Sequence, residues 1–164
     1  MDGFPSKAVF DCNIFVQALL NPFGASGRCF DAAHEERIVL FISDDLLEEV
    51  RDVLLRPNIL ARLPGSTPEQ IEAFVEEIVS IADSIADIGH SFDFERDPND
   101  EKILDLAIAC KAEYIVSRDN DLLDLMTDFD ESGKSFRQRF RKIKIIEPHT
   151  FLKIIFERDL SLKP

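Results

Sequence analysis

Ile38-Val39-Leu40-Phe41-Ile42, closed at once by Ser43, is the stretch whose reading decides the fold. Five consecutive apolar residues with an abrupt polar stop are the clearest strand in the chain. Ser43 is a good helix N-cap, and Leu46, Leu47, Val50, Val53 and Leu54 follow at helical spacing until Pro57. Working outward, Lys7-Ala8-Val9-Phe10 is a second short apolar run, ending at Asp11. Between the two strands, Ile14–Leu20 reads as a buried helix broken by Asn21-Pro22, and Gly24–Glu36 as another, with Phe30, Ala33 and His34 on one face. Strand followed by helix followed by strand is the pattern of a parallel sheet.

The second half repeats the alternation. Thr67-Pro68-Glu69-Gln70 is a capping box with proline at the first helical position, which predicts a helix over Pro68–Ile85. Its apolar set, Ile71, Phe74, Val75, Ile78, Val79 and Ile81, suits a core face with some width to spare. Asp97-Pro98-Asn99 opens another helix with Ile103, Leu104, Ala107 and Ile108 as its stripe. Tyr114–Val116 is a third strand, a short helix follows around Asp121–Met126, Thr127–Lys142 is polar and without a clear period, and Ile143–Ile146 is a last strand. Pro148 begins a final helix through Phe156. No hairpin turn signal, internal repeat or linker interrupts the series, so the expectation is one α/β domain spanning residues 1–164, with a central parallel sheet covered by helices.

Composition narrows the function classes. The 164 residues are 45% hydrophobic and 31% charged, a globular profile that excludes a disordered or collagen-like chain. Nineteen basic against 32 acidic residues give a net charge of −13, which no generic nucleic-acid-coating protein carries. Any contact with nucleic acid must then use a local basic patch, or metal ions that neutralise a carboxylate cluster. Cys12, Cys29 and Cys110 lack metal-ligand spacing and read as buried thiols in a reducing, cytoplasmic compartment. No signal peptide and no apolar run near 18 residues occur, so no membrane association is expected.

Ligand sites of open parallel sheets form beyond the carboxyl ends of the strands, which makes the acids there informative. Asp11 ends the first strand and Asp119 the third, and either alone is equally well read as a helix cap. On the Ser43–Arg56 helix, Glu49 lies at the edge of the core face centred near Val50, whereas Glu48 points to solvent. Asp100 shares the stripe of Ile103, Leu104 and Ala107, while Glu101 and Asp105 are expected to point outward as ordinary surface acids. Asp11, Glu49, Asp100 and Asp119 can therefore converge. Four carboxylates at about 4 Å spacing repel by roughly 4 kcal/mol per pair without a counter-charge. Hard oxygen ligands select Mg²⁺ or Mn²⁺, and phosphodiester hydrolysis is the chemistry that needs such a cluster.

These residues resemble the PIN-domain nucleases. The resemblance rests on Asp11-Cys12-Asn13 after a strand, on Ser43-Asp44-Asp45-Leu46-Leu47-Glu48-Glu49-Val50 with Leu55-Arg56-Pro57, and on Asp97-Pro98-Asn99-Asp100-Glu101-Lys102-Ile103-Leu104 with Ala107. It continues through Tyr114-Ile115-Val116-Ser117-Arg118-Asp119-Asn120-Asp121-Leu122-Leu123 and the closing Glu147-Pro148-His149-Thr150-Phe151-Leu152, in order along nearly the whole chain. It implies a three-layer α/β/α fold and a metal-dependent endoribonuclease, similar to VapC-type toxins held silent by a small antitoxin protein. RNA as substrate and a homodimer belong to the same expectation. Asp11, Glu49, Asp100 and Asp119 occupy the catalytic positions, with Asp11, Asp100, Asp119 and Asp121 as metal ligands; capping of the Leu122–Met126 helix explains Asp121 equally well. Asn13 and Ser117 match small polar positions that could orient a carboxylate. Arg118, which replaces a small residue, and the long Thr127–Lys142 segment depart from the pattern.

The weaker signals stay open. Lys134, Arg137, Arg139, Arg141, Lys142 and Lys144 crowd together, and if this segment is a strand, Arg137, Arg139 and Arg141 share a face. With Arg118 they are candidates for RNA phosphate contact, against the plainer reading of a solvated arm balancing Asp124, Asp128, Asp130 and Glu131. His34, His90 and His149 show no ligand pattern. A receiver-like signalling domain would need an acceptor aspartate where Ser43 stands. A non-catalytic binding module, or a structure-specific nuclease outside toxin–antitoxin systems, are the remaining alternatives.

Overall fold

The computed structural model describes residues 3–162. Five parallel strands form one sheet: β1 (Ser6–Phe10), β2 (Ile38–Ile42), β3 (Ala82–Ser84), β4 (Tyr114–Val116) and β5 (Lys144–Ile146), in the order β3-β2-β1-β4-β5. The helices are α1 (Cys12–Leu20), α2 (Ala25–His34), α3 (Asp44–Leu54), α4 (Pro57–Leu60), α5 (Pro68–Ile81), α6 (Glu101–Ala109), α7 (Asn120–Leu123), α8 (Glu131–Arg139) and α9 (Pro148–Ser161). Single 3₁₀ turns at Pro98–Asp100 and Asp124–Met126 precede α6 and follow α7. Because β1, β2 and β3 step one way across the sheet and β4 and β5 the other, right-handed crossovers put α1–α5 on one face and α6–α8 on the other. The direction of winding reverses between β1 and β4, whose carboxyl ends therefore open onto a crevice.

The apolar runs fill the interior as their patterns require. In β1 and β2, Ala8, Val9, Phe10, Ile38, Leu40, Phe41 and Ile42 are buried, consistent with a sheet covered on both faces. Phe10 touches Phe15 and Phe151, Phe15 touches Phe30, and Phe30 touches Phe74, with ring centroids 5.4–6.2 Å apart in tilted or edge-on geometry. This chain of rings joins β1 to α1, α2, α5 and α9, and each contact adds roughly 0.5–1.5 kcal/mol beyond simple burial. The Ser43 hydroxyl accepts from Leu46 N, and Thr67 and Gln70 form the reciprocal capping box. Cys12, Cys29 and Cys110 are buried free thiols.

Two segments differ from the sequence reading. The capped helix α5 stops at Ile81, four residues short of Ile85, and the chain passes directly into β3. Leu40 to Ile42 pair with Ala82 to Ser84, and Ile85 N donates to Ile42 O. Ala82-Asp83-Ser84 has poor strand propensity, but an edge strand needs only one ladder and β2 supplies it. The Thr127–Lys142 segment is neither strand nor arm: Asp130 caps α8, whose Phe136 is fully buried against Phe92 and Phe140. Its helical signal is diluted by Gly133 and seven polar neighbours, so the one deep anchor is hard to read without its partners.

Candidate metal centre

Asp11 leaves the end of β1 and caps α1, its Oδ1 accepting from Cys12 N at 2.8 Å. Asp119 follows β4 and caps α7 through Asp121 N at 2.9 Å. Each carboxylate thus fills the modest capping role and still has lone pairs free for the crevice. Ser117, fully buried between them, donates from Oγ to Asp11 Oδ2 at 2.8 Å and accepts from Asp119 N at 3.0 Å. One hydroxyl therefore fixes the orientation of two strand-end acids. Asp100 enters from the 3₁₀ turn ahead of α6. One oxygen of each of Asp11, Asp100 and Asp119 lies within 4.8 Å of the other two.

The electrostatics of this triad are unresolved within the protein. Burial pushes the Asp100 carboxyl up to about 9, with the neighbouring Asp11 and Asp119 adding to the effect. Asp100 Oδ2 is buried without a hydrogen-bond partner. Burial also raises Asp11, which the bonds from Ser117 and Cys12 N only partly offset, while Asp119 and Asp97 push further upward. Glu49 is raised as well, first by desolvation of its carboxyl and next by the charge of Asp11; Lys102 and Arg56 pull it back. Glu48 instead reaches Arg51 Nη1 at 4.0 Å. Both side chains are exposed, but Glu49 feels the charge of Asp11 whereas Glu48 joins an ordinary surface ion pair. Cys12 is driven strongly upward by burial and by Glu49 and Asp11, so its thiol stays protonated beside the acids.

The remaining candidates fall into distinct places. Asp121 does not cap α7; its carboxylate receives Arg96 Nε at 2.6 Å, and it forms a second close group of acids with Asp97 and Asp119. Arg96 also bonds Asp124 at 2.7 Å and Asp128 at 3.3 Å. Neither Asp97 nor Arg96 stood out in the sequence: Asp97 read as a helix opener, which it also is, and an arginine pairing 25 or more residues away leaves no local trace. Asn13 is exposed in the first turn of α1, and Arg118 is exposed beside Asp119. Since Glu131–Arg139 is helical, Arg137, Arg139 and Arg141 do not form one strand face. Arg137 spends its guanidinium on Leu125 O and Asp128 O, both at 2.6 Å, and is thereby a brace for the preceding loop. Arg139 bonds Ser91 O and lies over the rings of Phe92 and Phe140, while Arg141 only reaches Gln138 O.

Asp105 and Glu101 also correct the sequence reading. Asp105 is buried, accepts from Ser91 N, Phe92 N and His90 Nδ1, and anchors the 90–94 segment to α6. Glu101 accepts from Phe94 N at 2.9 Å. Their expected outward direction assumed that nothing covers that side of α6, whereas the loop before Asp97 does.

A parallel sheet with a carboxylate cluster at the point where its winding reverses defines a nuclease-type α/β protein able to hold a divalent cation. Residues 7–121 match the model of the PIN domain family, and the chain belongs to that family. It is also 29% identical over 164 residues, covering 98% of each chain, to the uncharacterized protein MJ1680 of Methanocaldococcus jannaschii. No helix among the described residues is long and apolar enough to cross a membrane.

Proposed function

We propose that this protein is a metal-dependent endoribonuclease that hydrolyses RNA phosphodiester bonds as the cytoplasmic toxin of a toxin–antitoxin pair, acting as a homodimer silenced by a small antitoxin protein. The observation that carries the nuclease part is Asp100. A buried carboxylate oxygen without a partner, within 4.8 Å of oxygens of Asp11 and Asp119, is costly unless a cation completes it. The donor set is all oxygen, which fits Mg²⁺ or Mn²⁺ and not a thiolate-seeking ion. Asp11, Asp100 and Asp119 would hold it, and Asp121 is available as a further ligand once released by Arg96. A divalent cation bound there supplies positive charge opposite the negative charge that develops on a phosphodiester during hydrolysis.

The chain's own groups account for the rest. Ser117 keeps Asp11 and Asp119 aimed into the crevice. Glu49, outside the close triad and with a raised pKa, is suited to take a proton at its carboxylate from an attacking water. Asn13, exposed in the first turn of α1 two residues after Asp11, is assigned as a polar contact for substrate.

Purified protein is expected to cut single-stranded RNA with Mn²⁺ or Mg²⁺ and to stop with chelator. Asp11→Asn is expected to lower turnover by orders of magnitude while the fold persists. Cutting by Asp11→Asn in chelator sinks the metal-nuclease reading, and cleavage confined to branched DNA moves it to a structure-specific nuclease.

A further inference from the structure

A second polar hollow opens beyond the carboxyl ends of β4 and β5, a cleft of about 280 Å³. Arg118, next to Asp119 in the chain, forms part of its wall, so it adjoins the carboxylate centre without belonging to it. The opposite wall is the first turn of α2. That helix begins at Gly24 with no side-chain cap, and the leading N–H groups of a helix have no partner within it. The partial positive charge of the uncapped end adds to Arg118.

Two independent features identify a ligand. Ser26 lines the cleft and is only 4% exposed, and its hydroxyl, without a protein partner among the described residues, opens to the cleft instead of being sealed in the core. A hydroxyl on an otherwise buried residue that opens onto a cleft is placed to bond whatever occupies it. Arg118 likewise makes no ion pair among the described residues, in a chain of net charge −13 where carboxylates are plentiful. At the rim, Phe23 is 93% exposed in the Asn21-Pro22-Phe23-Gly24 turn whose two ends line the cleft. An aromatic ring held in water beside a polar cleft that carries an arginine and a helix N-terminus is a pairing that single-stranded nucleic acid uses, with a base on the ring and the backbone in the cleft. Gln17, Asn21, Glu147 and His149 also line the cleft and offer hydrogen-bonding groups to a nucleotide's sugar and base, the Glu147 carboxylate accepting from hydroxyl or amino groups.

The geometry of this turn is constrained. A Cβ on Gly27 would meet Pro22 O at 2.1 Å, so only glycine allows α2 to close against the turn that carries Phe23. Cys29 Sγ contacts Pro148 O at 3.6 Å and ties α2 to the start of α9.

We propose that this cleft is a nucleotide subsite for the substrate strand: a backbone phosphate sits on the first turn of α2 between Arg118 and the Ser26 hydroxyl, and the adjoining base stacks on Phe23. It rests on the proposed ribonuclease function and gives that function a strand-gripping site separate from the carboxylates. A hollow of about 280 Å³ has room for one nucleotide of a flexible strand.

Two probes separate the subsite from the nuclease reading. Adenosine 3′,5′-bisphosphate, titrated in chelator and followed by amide chemical shifts, is expected to move Ala25, Ser26 and Gly27. Arg118→Gln is expected to weaken that binding about tenfold, and Ala25→Glu to abolish it while raising the melting temperature, because an acid favours a helix start. In an Asp11→Asn background with Mn²⁺, so that the strand stays intact, Phe23→Ala is expected to weaken a fluorescent 12-nucleotide RNA about tenfold. Arg118→Gln is expected to flatten log K against log salt by about 0.7, the share of one phosphate on a single strand. RNA binding that ignores all three substitutions overturns the subsite and leaves the nuclease reading standing. Bisphosphate binding at α2 without any RNA binding or cleavage overturns the strand assignment together with the ribonuclease. Shifts confined to α8 overturn the subsite as well.

Discussion

Asp100 and Asp105 lie five residues apart around the start of α6, and the protein treats them in opposite ways. Asp105 is buried but satisfied: two backbone N–H groups and His90 surround its carboxylate. Asp100 is joined by Asp11 and Asp119 instead, keeps one buried oxygen unpartnered, and has its pKa pushed to about 9 by burial and those neighbours. A carboxylate that serves the fold finds its donors within the chain. One whose donors are withheld, in a cluster of like charge, stores destabilisation that a cation relieves. The Arg96 network shows that cations are available nearby: it neutralises Asp121, Asp124 and Asp128, yet no lysine or arginine pairs with Asp100 among the described residues.

The most severe way to break this contrast is to neutralise one acid in each cluster and remove metal. A carboxyl whose pKa is raised in the folded state holds protons that the unfolded chain releases, so metal-free stability falls as pH rises from about 4 towards the raised value. At pH 7 the triad therefore opposes folding until it is neutralised. Asp11→Asn is expected to raise the metal-free melting temperature by a few degrees, on the order of 1 kcal/mol in a chain of this size, and to erase the stabilisation by Mn²⁺. Asp105→Asn is expected to do the reverse. Its amide cannot accept from all three donors, which costs roughly 2–3 kcal/mol and lowers the melting temperature by about 5–10 °C, with Mn²⁺ affinity kept. Thermal melts of both variants with and without Mn²⁺ check the pair; the same sign for both removes the distinction.

A sharper comparison lies within α3. Glu48 and Glu49 are adjacent and about 100° apart on the helix, one paired with Arg51 and the other sensing Asp11. Glu49→Gln is expected to weaken Mn²⁺ binding several-fold and to depress turnover further, whereas Glu48→Gln leaves both within about twofold. Calorimetric titration and single-turnover cleavage read the two effects. Equal losses would mean that Glu49 does not face the centre.

How much of this is visible in sequence follows from how local each signal is. The strand-end acids Asp11 and Asp119 and the phase of Glu49 can be read because one strand end or one helical turn determines them. The apolar runs carry β1, β2 and β4 for the same reason. Asp105 could not be read: an acid three residues from Lys102 on a helix looks solvated unless the loop that folds over it is known. Ser117 is visible as a small polar residue, but one of its two bonds reaches Asp11, 106 positions away. The edge strand β3 and the buried Phe136 of α8 depend on partners elsewhere in the chain, and neither propensity nor period reports those.

The mildest test concerns pH at the satisfied cluster. His90 gives one ring nitrogen to Asp93 at 2.7 Å and the other to Asp105 at 2.9 Å, and those two bonds, Asp93 first, raise its pKa to about 9. A histidine raised on folding contributes stability in full below its unfolded value near 6.5 and loses it as pH climbs through 9. The charged ring is exposed, so solvent screens the effect and only a shallow slope is expected. Between pH 6.5 and 9 the denaturation midpoint of the wild-type protein is expected to drift downward, over and above the decline from the carboxylate triad. His90→Gln keeps hydrogen-bonding capacity without a titrating proton, so it is expected to remove the histidine's share and leave the triad's. Adding Mn²⁺ is expected to remove the triad's share and leave the histidine's. Midpoints for the two proteins in the two conditions therefore separate the clusters. A His90→Gln midpoint that falls as steeply as wild type in Mn²⁺ would show that His90 is not held as a cation between Asp93 and Asp105.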